Sequence, residues 1–246
     1  GDWSSDVCSS DLDLQDAAEK ILASKTFDEG TSCSSDNAVV GLAAIYDELL
    51  EKLIEQGGYV VAPEDYDKLA KAMWQDGILN RDIVAQKACR IGEIAGIDIP
   101  ETARFVIVPE TGVGPEHPFS GEKLSVVMAL YKVADINEAI ELTNRIQAYQ
   151  GLGHSCGLYS NDDGNILKYG SGTKTSRVMV NQPQSTSNSG ALWNGMRQTF
   201  SLGCGSWGGN STNENINWKH LVNITWVSKP LAQDRKSTRL NSSHLV

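Results

Sequence analysis

Short apolar, often β-branched runs alternate along this chain with segments of about a dozen residues whose apolar positions share one helical face. Asp13 can cap a helix carrying Leu14, Ala17, Ala18, Ile21 and Leu22 on one side, and Ala38 to Leu42 follows as a buried strand. Ile45, Leu49, Leu50, Leu53 and Ile54 stripe the next helix, which Gly57-Gly58 ends. Tyr59 to Ala62 reads as a strand, and Pro63-Glu64 opens a helix running through Met73. Arg81 to Ala95 reads as largely helical, and Phe105 to Val108 and Leu124 to Val133 as strands. Asp135 starts a helix over Ile136–Tyr149, followed by strands at Ser155–Tyr159 and Val178–Val180 and a last alternating run from Leu221 to Val227. Strands and helices in that order predict an α/β layer fold.

The exclusions are firm. A net charge of −10 without a Lys/Arg stripe lacks the footprint of a nucleic-acid binder. No window approaches the roughly 18 apolar residues of a membrane helix, and no basic start with an apolar stretch marks a signal peptide. Cys8, Cys33, Cys89, Cys156 and Cys204 form neither a disulfide framework nor a metal clip, which points to a reduced, cytoplasmic compartment. His117, His154, His220 and His244 lack ligand spacing, so no metal is expected.

The ends differ in character. Residues 1–12 and 234–246 are rich in Ser, Asp, Asn or Arg, show no periodicity and resemble translated sequencing-adapter read-through. They are expected to lie outside the fold, leaving residues 13–233.

Cys33 sits in FDEGTSCSSDN with no apolar neighbour within two positions. A structural cysteine prefers apolar company, whereas this setting suits a thiolate that attacks a carbonyl. Composition alone fits an incidental surface thiol equally well.

Three ordered segments go further: SKTFDEGTSCSSDNAVV, then HPFSGEKLSVVMALYKV, then RVMVN followed by SLGCGSWGGNSTNEN. Together they resemble the CoA-acylating branch of the aldehyde dehydrogenase superfamily, over nearly all of residues 13–228. The TSCSSDN variant with RVMVNQ is most similar to its sulfoacetaldehyde-oxidising subgroup. The resemblance implies a three-layer α/β/α catalytic domain at 13–200 plus a C-terminal oligomerisation segment at 201–233 that returns to a cofactor domain.

It also implies roles. Cys33 is the nucleophile, NAD or NADP the cofactor and coenzyme A the co-substrate. Glu122 aligns with the glutamate that holds the nicotinamide ribose, Leu124 packs beside the nicotinamide, and His154 stands where a base could assist CoA deacylation. Taken without the resemblance, Glu122 reads as a solvated carboxylate paired with Lys123 and His154 as a structural histidine. Thr31, Ser32, Ser34, Arg177, Asn181 and Gln182 are candidates for the aldehyde pocket, Arg177 suiting a sulfonate. The partners implied are a small aldehyde and further copies of the chain, as a dimer or tetramer.

Two readings from other classes remain: a hydrolytic dehydrogenase giving the free acid, and a catalytically dead fragment. Most of the family's cofactor domain is absent before Cys33, so the chain is expected to be N-terminally truncated and inactive alone. Gly203-Cys204-Gly205-Ser206-Trp207-Gly208 spells GxGxxG, but Gly209 to Asn213 cannot start an apolar helix, so a glycine-rich structural loop is expected.

Overall fold

The computed structural model describes residues 4–9 and 13–230; residues 234–246, set apart above, lie outside the described residues. A seven-stranded sheet forms the middle layer in the order β3-β6-β7-β2-β1-β8-β9, all pairings parallel. Its strands are β1 (Ser4–Cys8), β2 (Asp36–Leu42), β3 (Gly58–Val60), β6 (Phe105–Pro109), β7 (Val127–Val133), β8 (Cys156–Tyr159) and β9 (Val178–Val180). A small hairpin, β4 (Trp74–Gln75) with β5 (Ile78–Leu79), stands apart. The helices are α1 (Leu14–Thr26), α2 (Tyr46–Glu55), α3 (Tyr66–Met73), α4 (Ala88–Ala95), α5 (Ile136–Tyr149), α6 (Asp163–Gly172) and α7 (Gln184–Ser187).

Parallel crossovers are right-handed, so their direction along the sheet decides the face each helix covers. The β1-α1-β2 unit steps one way and β7-α5-β8 steps the other, which puts α1 and α5 on opposite faces. Helix α1 packs on α2 and α7, and α5 packs on α6. This is the expected three-layer α/β/α arrangement. With both faces covered, β2 and the body of β6 and β7 are buried on successive residues rather than alternate ones. Asp13 caps α1 by accepting from the amides of Gln15 and Asp16, and Asp135 caps α5 in the same way.

Several expectations need correction. Residues 4–9 do not lie outside the fold: β1 is paired on both sides, by β2 and β8, because a gap between those strands would leave both ladders open. Helix α4 starts only at Ala88; Arg81 to Lys87 forms turns, with Ala85 at φ 59° and its amide bonded to the Leu124 carbonyl. Strand β7 starts at Val127 because Leu124 is left-handed, at φ 39°. Leu221 to Val227 is not a strand. It finds no ladder among the described residues, and Leu221, Ile224, Trp226 and Val227 are exposed. A boundary between 200 and 201 divides one hydrogen-bonded unit, since Asn215 donates to the Asn188 and Arg197 carbonyls and Thr199 to the carbonyl of Ile216. Helix α6 gave no sequence signal because Gly164, Gly170 and Gly172 hide its stripe; Asp162 caps it.

Burying β1 has an electrostatic consequence. Asp6 and Asp36 face each other inside the protein, and the Gln184 amide donates to both, at 2.6 and 3.2 Å. Desolvation first, then the neighbouring Asp36, pushes the Asp6 carboxyl well above the usual carboxylate range. A raised folded-state value gives stability that is full at low pH and is lost as pH climbs toward it. Asp6→Asn is therefore expected to raise the melting temperature at pH 8, with the difference from the parent shrinking toward pH 4 in thermal unfolding followed by circular dichroism.

Candidate active site

Parallel strands all begin on one edge, and Cys33 lies on that edge, three residues before β2. The chain enters its turn through three left-handed residues, Asp28, Glu29 and Gly30, at φ 50°, 51° and 75°. Local bonds hold the first of them: the Thr31 hydroxyl donates to the Asp28 carbonyl and carboxylate at 2.7 and 2.8 Å. Gly30 is required, because a Cβ there would overlap the Ser125 carbonyl. Ser32 to Ser35 then closes a turn by a 2.9 Å backbone bond, with the Ser34 amide donating to the Ser32 hydroxyl at 3.3 Å. Ser34 is buried and Cys33 is exposed at the apex, its Sγ 4.0 Å from the Ser34 hydroxyl.

The segment leading into β7 meets this turn. The Asn37 carboxamide accepts from the Lys123 amide at 3.3 Å and donates to the Ser35 carbonyl at 3.0 Å. Glu122 is half-buried, its amide bonded to the Gln150 side chain at 2.9 Å. Lys123 is not the surface partner of Glu122 that composition suggests. It is fully buried and donates to the Phe119 and Gly121 carbonyls, both at 2.6 Å. Desolvation, with the Lys25 charge beside it, holds its amine well below the usual lysine range. Leu124 keeps its strained left-handed backbone here, a conformation that clusters at working sites.

His154 and Arg177 reach the same edge just before β8 and β9. His154 is fully buried with Nδ1 2.8 Å from the Ser155 hydroxyl. Arg177 has a different task from the sulfonate recognition expected of it. Its Nε donates to Asn215 Oδ1 at 2.9 Å, and its terminal nitrogens donate to the carbonyls of Gly203, His154 and Asn213 at 2.9, 3.3 and 3.4 Å. Burial lowers the guanidinium, and the Cys204 and Cys33 thiols are the neighbours that raise it again. One cation thus clamps the glycine-rich loop onto the edge that carries Cys33. The GxGxxG stretch is a loop, and Gly209 to Asn213 after it starts no helix, as expected.

Asn181 and Gln182 lie elsewhere. The Asn181 amide bonds to the Leu158 carbonyl, in register with Val7 and Val40, four residues or about 13 Å up the sheet from Asp36. Its side chain is bonded to Ser160, and the Gln182 carboxamide accepts from Asn194. Following β9 rather than preceding it, both residues fall on the opposite edge from Cys33. Lys25, Asn37, Lys123 and Gln150 are the contributors that sequence reasoning missed. Only Lys25 left a trace: Leu14, Ala18, Ile21 and Lys25 keep helical spacing, so a charge sits on a buried stripe. Among the described residues no group of His, Cys, Asp and Glu could hold a metal ion, and no helix is long and apolar enough to cross a membrane.

No family model matches the sequence. Curated relatives do. Over 236 residues the chain is 42% identical to a sulfoacetaldehyde dehydrogenase of Acholeplasma sp, covering 94% of this chain and 49% of the relative. Over 222 residues it is 40% identical to the acylating sulfoacetaldehyde dehydrogenase of Cupriavidus necator, covering 89% of this chain and 45% of that one. The fold superposes on an acetylating aldehyde dehydrogenase from Geobacillus thermoglucosidasius with TM-score 0.88 and 33% identity, covering 95% of this chain and 52% of that structure. The chain is similar to one half of an acylating aldehyde dehydrogenase. It spans about half the length of the acylating dehydrogenases it matches, and that half holds the Cys33 edge.

Two substitutions test the construction of this edge. Gly30→Ala is expected to cost roughly 2–3 kcal/mol in urea unfolding, because strain and overlap with Ser125 act together. Arg177→Met is expected to speed proteolytic nicking within residues 203–215 while the far-ultraviolet spectrum stays unchanged.

Proposed function

We propose that this chain carries the thioester-forming half of a CoA-acylating aldehyde dehydrogenase. One observation carries the reading: Cys33 is presented, exposed, at the apex of a tightly braced turn on the edge that also gathers Glu122, Leu124 and His154. The thiolate adds to an aldehyde carbonyl, and the backbone amide at Cys33 is the proposed donor to the oxyanion. Loss of hydride from that adduct leaves a thioester on Cys33. The CoA thiolate then attacks the thioester, Cys33 departs as thiolate, and acyl-CoA is released. One thioester replaces another, so the reaction runs in either direction.

A nicotinamide, NAD or NADP, would accept the hydride. The residues present suit it: Glu122 offers a carboxylate to ribose hydroxyls, and the strained Leu124 backbone fixes an apolar side chain beside it. His154, fully buried with Nδ1 at the Ser155 hydroxyl, suits a structural role on this edge better than that of a base meeting the CoA thiol. Thr31, Ser32 and Ser34, on the Cys33 turn, are the proposed lining of the aldehyde pocket. The names of the relatives favour sulfoacetaldehyde as substrate. Since Arg177 donates to the chain and the Thr31 hydroxyl to Asp28, the Ser32 and Ser34 hydroxyls are the proposed partners of a sulfonate. Exposed Trp218, Leu221, Ile224 and Trp226 are the proposed surface toward the rest of the complete enzyme and its further copies. Turnover is expected of that complete enzyme, not of this segment.

The reverse acyl transfer tests the reading without a nicotinamide. Incubated with acetyl-CoA, the chain is expected to gain one acetyl group on the peptide containing Cys33, by mass spectrometry, and Cys33→Ser to gain none. A folded parent chain that stays unmodified sinks the proposal.

A further inference from the structure

Lys25 stands on the last turn of α1 with no exposed surface, although the same helix carries Lys20 in a surface pair with Asp16. Its Nζ lies 3.4 Å from the Ser35 hydroxyl, and Ser35 is the residue whose amide closes the turn bearing Cys33. The amine therefore supports that turn from behind. A hydrocarbon side chain would fill the same space without desolvating a charge.

The charged groups facing it come from each packed element. Asp36 at the start of β2 is the opposing charge. Asp6 of β1 is joined to Asp36 through the Gln184 amide. Lys123, from the segment before β7, is a second buried amine whose charge and that of Lys25 repel. Ser24 and Ser185, hydrogen-bonded to each other, add only neutral hydroxyls.

We propose that Lys25 is a positioning residue for Cys33, bracing the Ser32–Ser35 turn through the Ser35 hydroxyl and setting a titratable charge behind the thiol. The inference rests on the reading of Cys33 as nucleophile. Burial brings the amine down to about 7, so its charge changes within the neutral range. Arg177 is the standing cation coupled to Cys33, and a charged Lys25 is proposed to add to it in favouring the thiolate, an addition lost once the amine is neutral.

The test is the pH profile of Cys33 alkylation by iodoacetamide in the 246-residue chain, read from the Cys33 peptide so that Cys89 does not contribute. The parent is expected to show an inflection near neutrality beside that of the thiol. In Lys25→Met that inflection is expected to vanish, and the rate at pH 6 relative to pH 9 to fall by about threefold or more. Lys20→Met is expected to match the parent. A folded Lys25→Met chain with the parent's profile overturns the proposal. Where Lys25→Met does not fold, the parent decides by NMR with labelled lysine. The Lys25 ε-group, assigned apart from that of buried Lys123 by its proximity to Ser35, is expected to titrate near pH 7 with the Cys33 and Ser35 amides shifting at the same midpoint, and amides that ignore that midpoint overturn it. Alkylation needs neither aldehyde nor CoA, so failure here is distinct from failure of the acetyl transfer.

Discussion

Everything about the candidate site follows from one constraint: strands hydrogen-bonded in parallel must all begin on the same edge of their sheet. Cys33, Lys123, His154 and Arg177 are far apart in the chain, yet each directly precedes a strand of that sheet. The constraint gathers them without any sequence motif linking one to another. It equally removes Asn181 and Gln182, which follow β9 and so emerge on the far edge. A residue one strand length later in the chain is delivered to the wrong side of the molecule.

Holding the Cys33 turn still at that edge demands close contact rather than bulk. Gly30 lets its backbone lie against the Ser125 carbonyl, and Asn37 ties the turn to Lys123 with a bond in each direction. The turn and the segment before β7 carry backbone strain at Asp28, Glu29 and Leu124, and the Thr31 hydroxyl holds Asp28 in place. Buried charge is the second cost. Lys123 donates to two carbonyls, Arg177 to the glycine-rich loop, and Asp6 and Asp36 share Gln184. Each of these groups replaces water by fixed protein dipoles, which makes the edge rigid and polar at once.

Much of this was readable beforehand. The capped, striped helices α1 and α5 and the apolar strands β2, β6 and β7 carry their own periodicity, and Cys33 stood out by its polar company. What was misread shares one cause. Ser4 to Cys8 has no apolar pattern, so nothing local marks a strand; only the space between β2 and β8 calls for one. Leu221 to Val227 has the pattern but no neighbouring strand to complete it among the described residues. Arg177 looked available for an anion because composition cannot show carbonyls converging on it from Gly203 and Asn213.

The sequence by itself determined the α/β class, the helix caps, the polar setting of Cys33 and the acylating dehydrogenase resemblance. These are properties of neighbours along the chain, where periodicity and local hydrogen bonding act over a few residues. The tertiary structure alone decided which candidates share the Cys33 edge, that Lys25 and Lys123 are buried, and that Arg177 clamps a loop. Those outcomes depend on strand order and on desolvation, and both are set by segments that meet only after the sheet has closed around them.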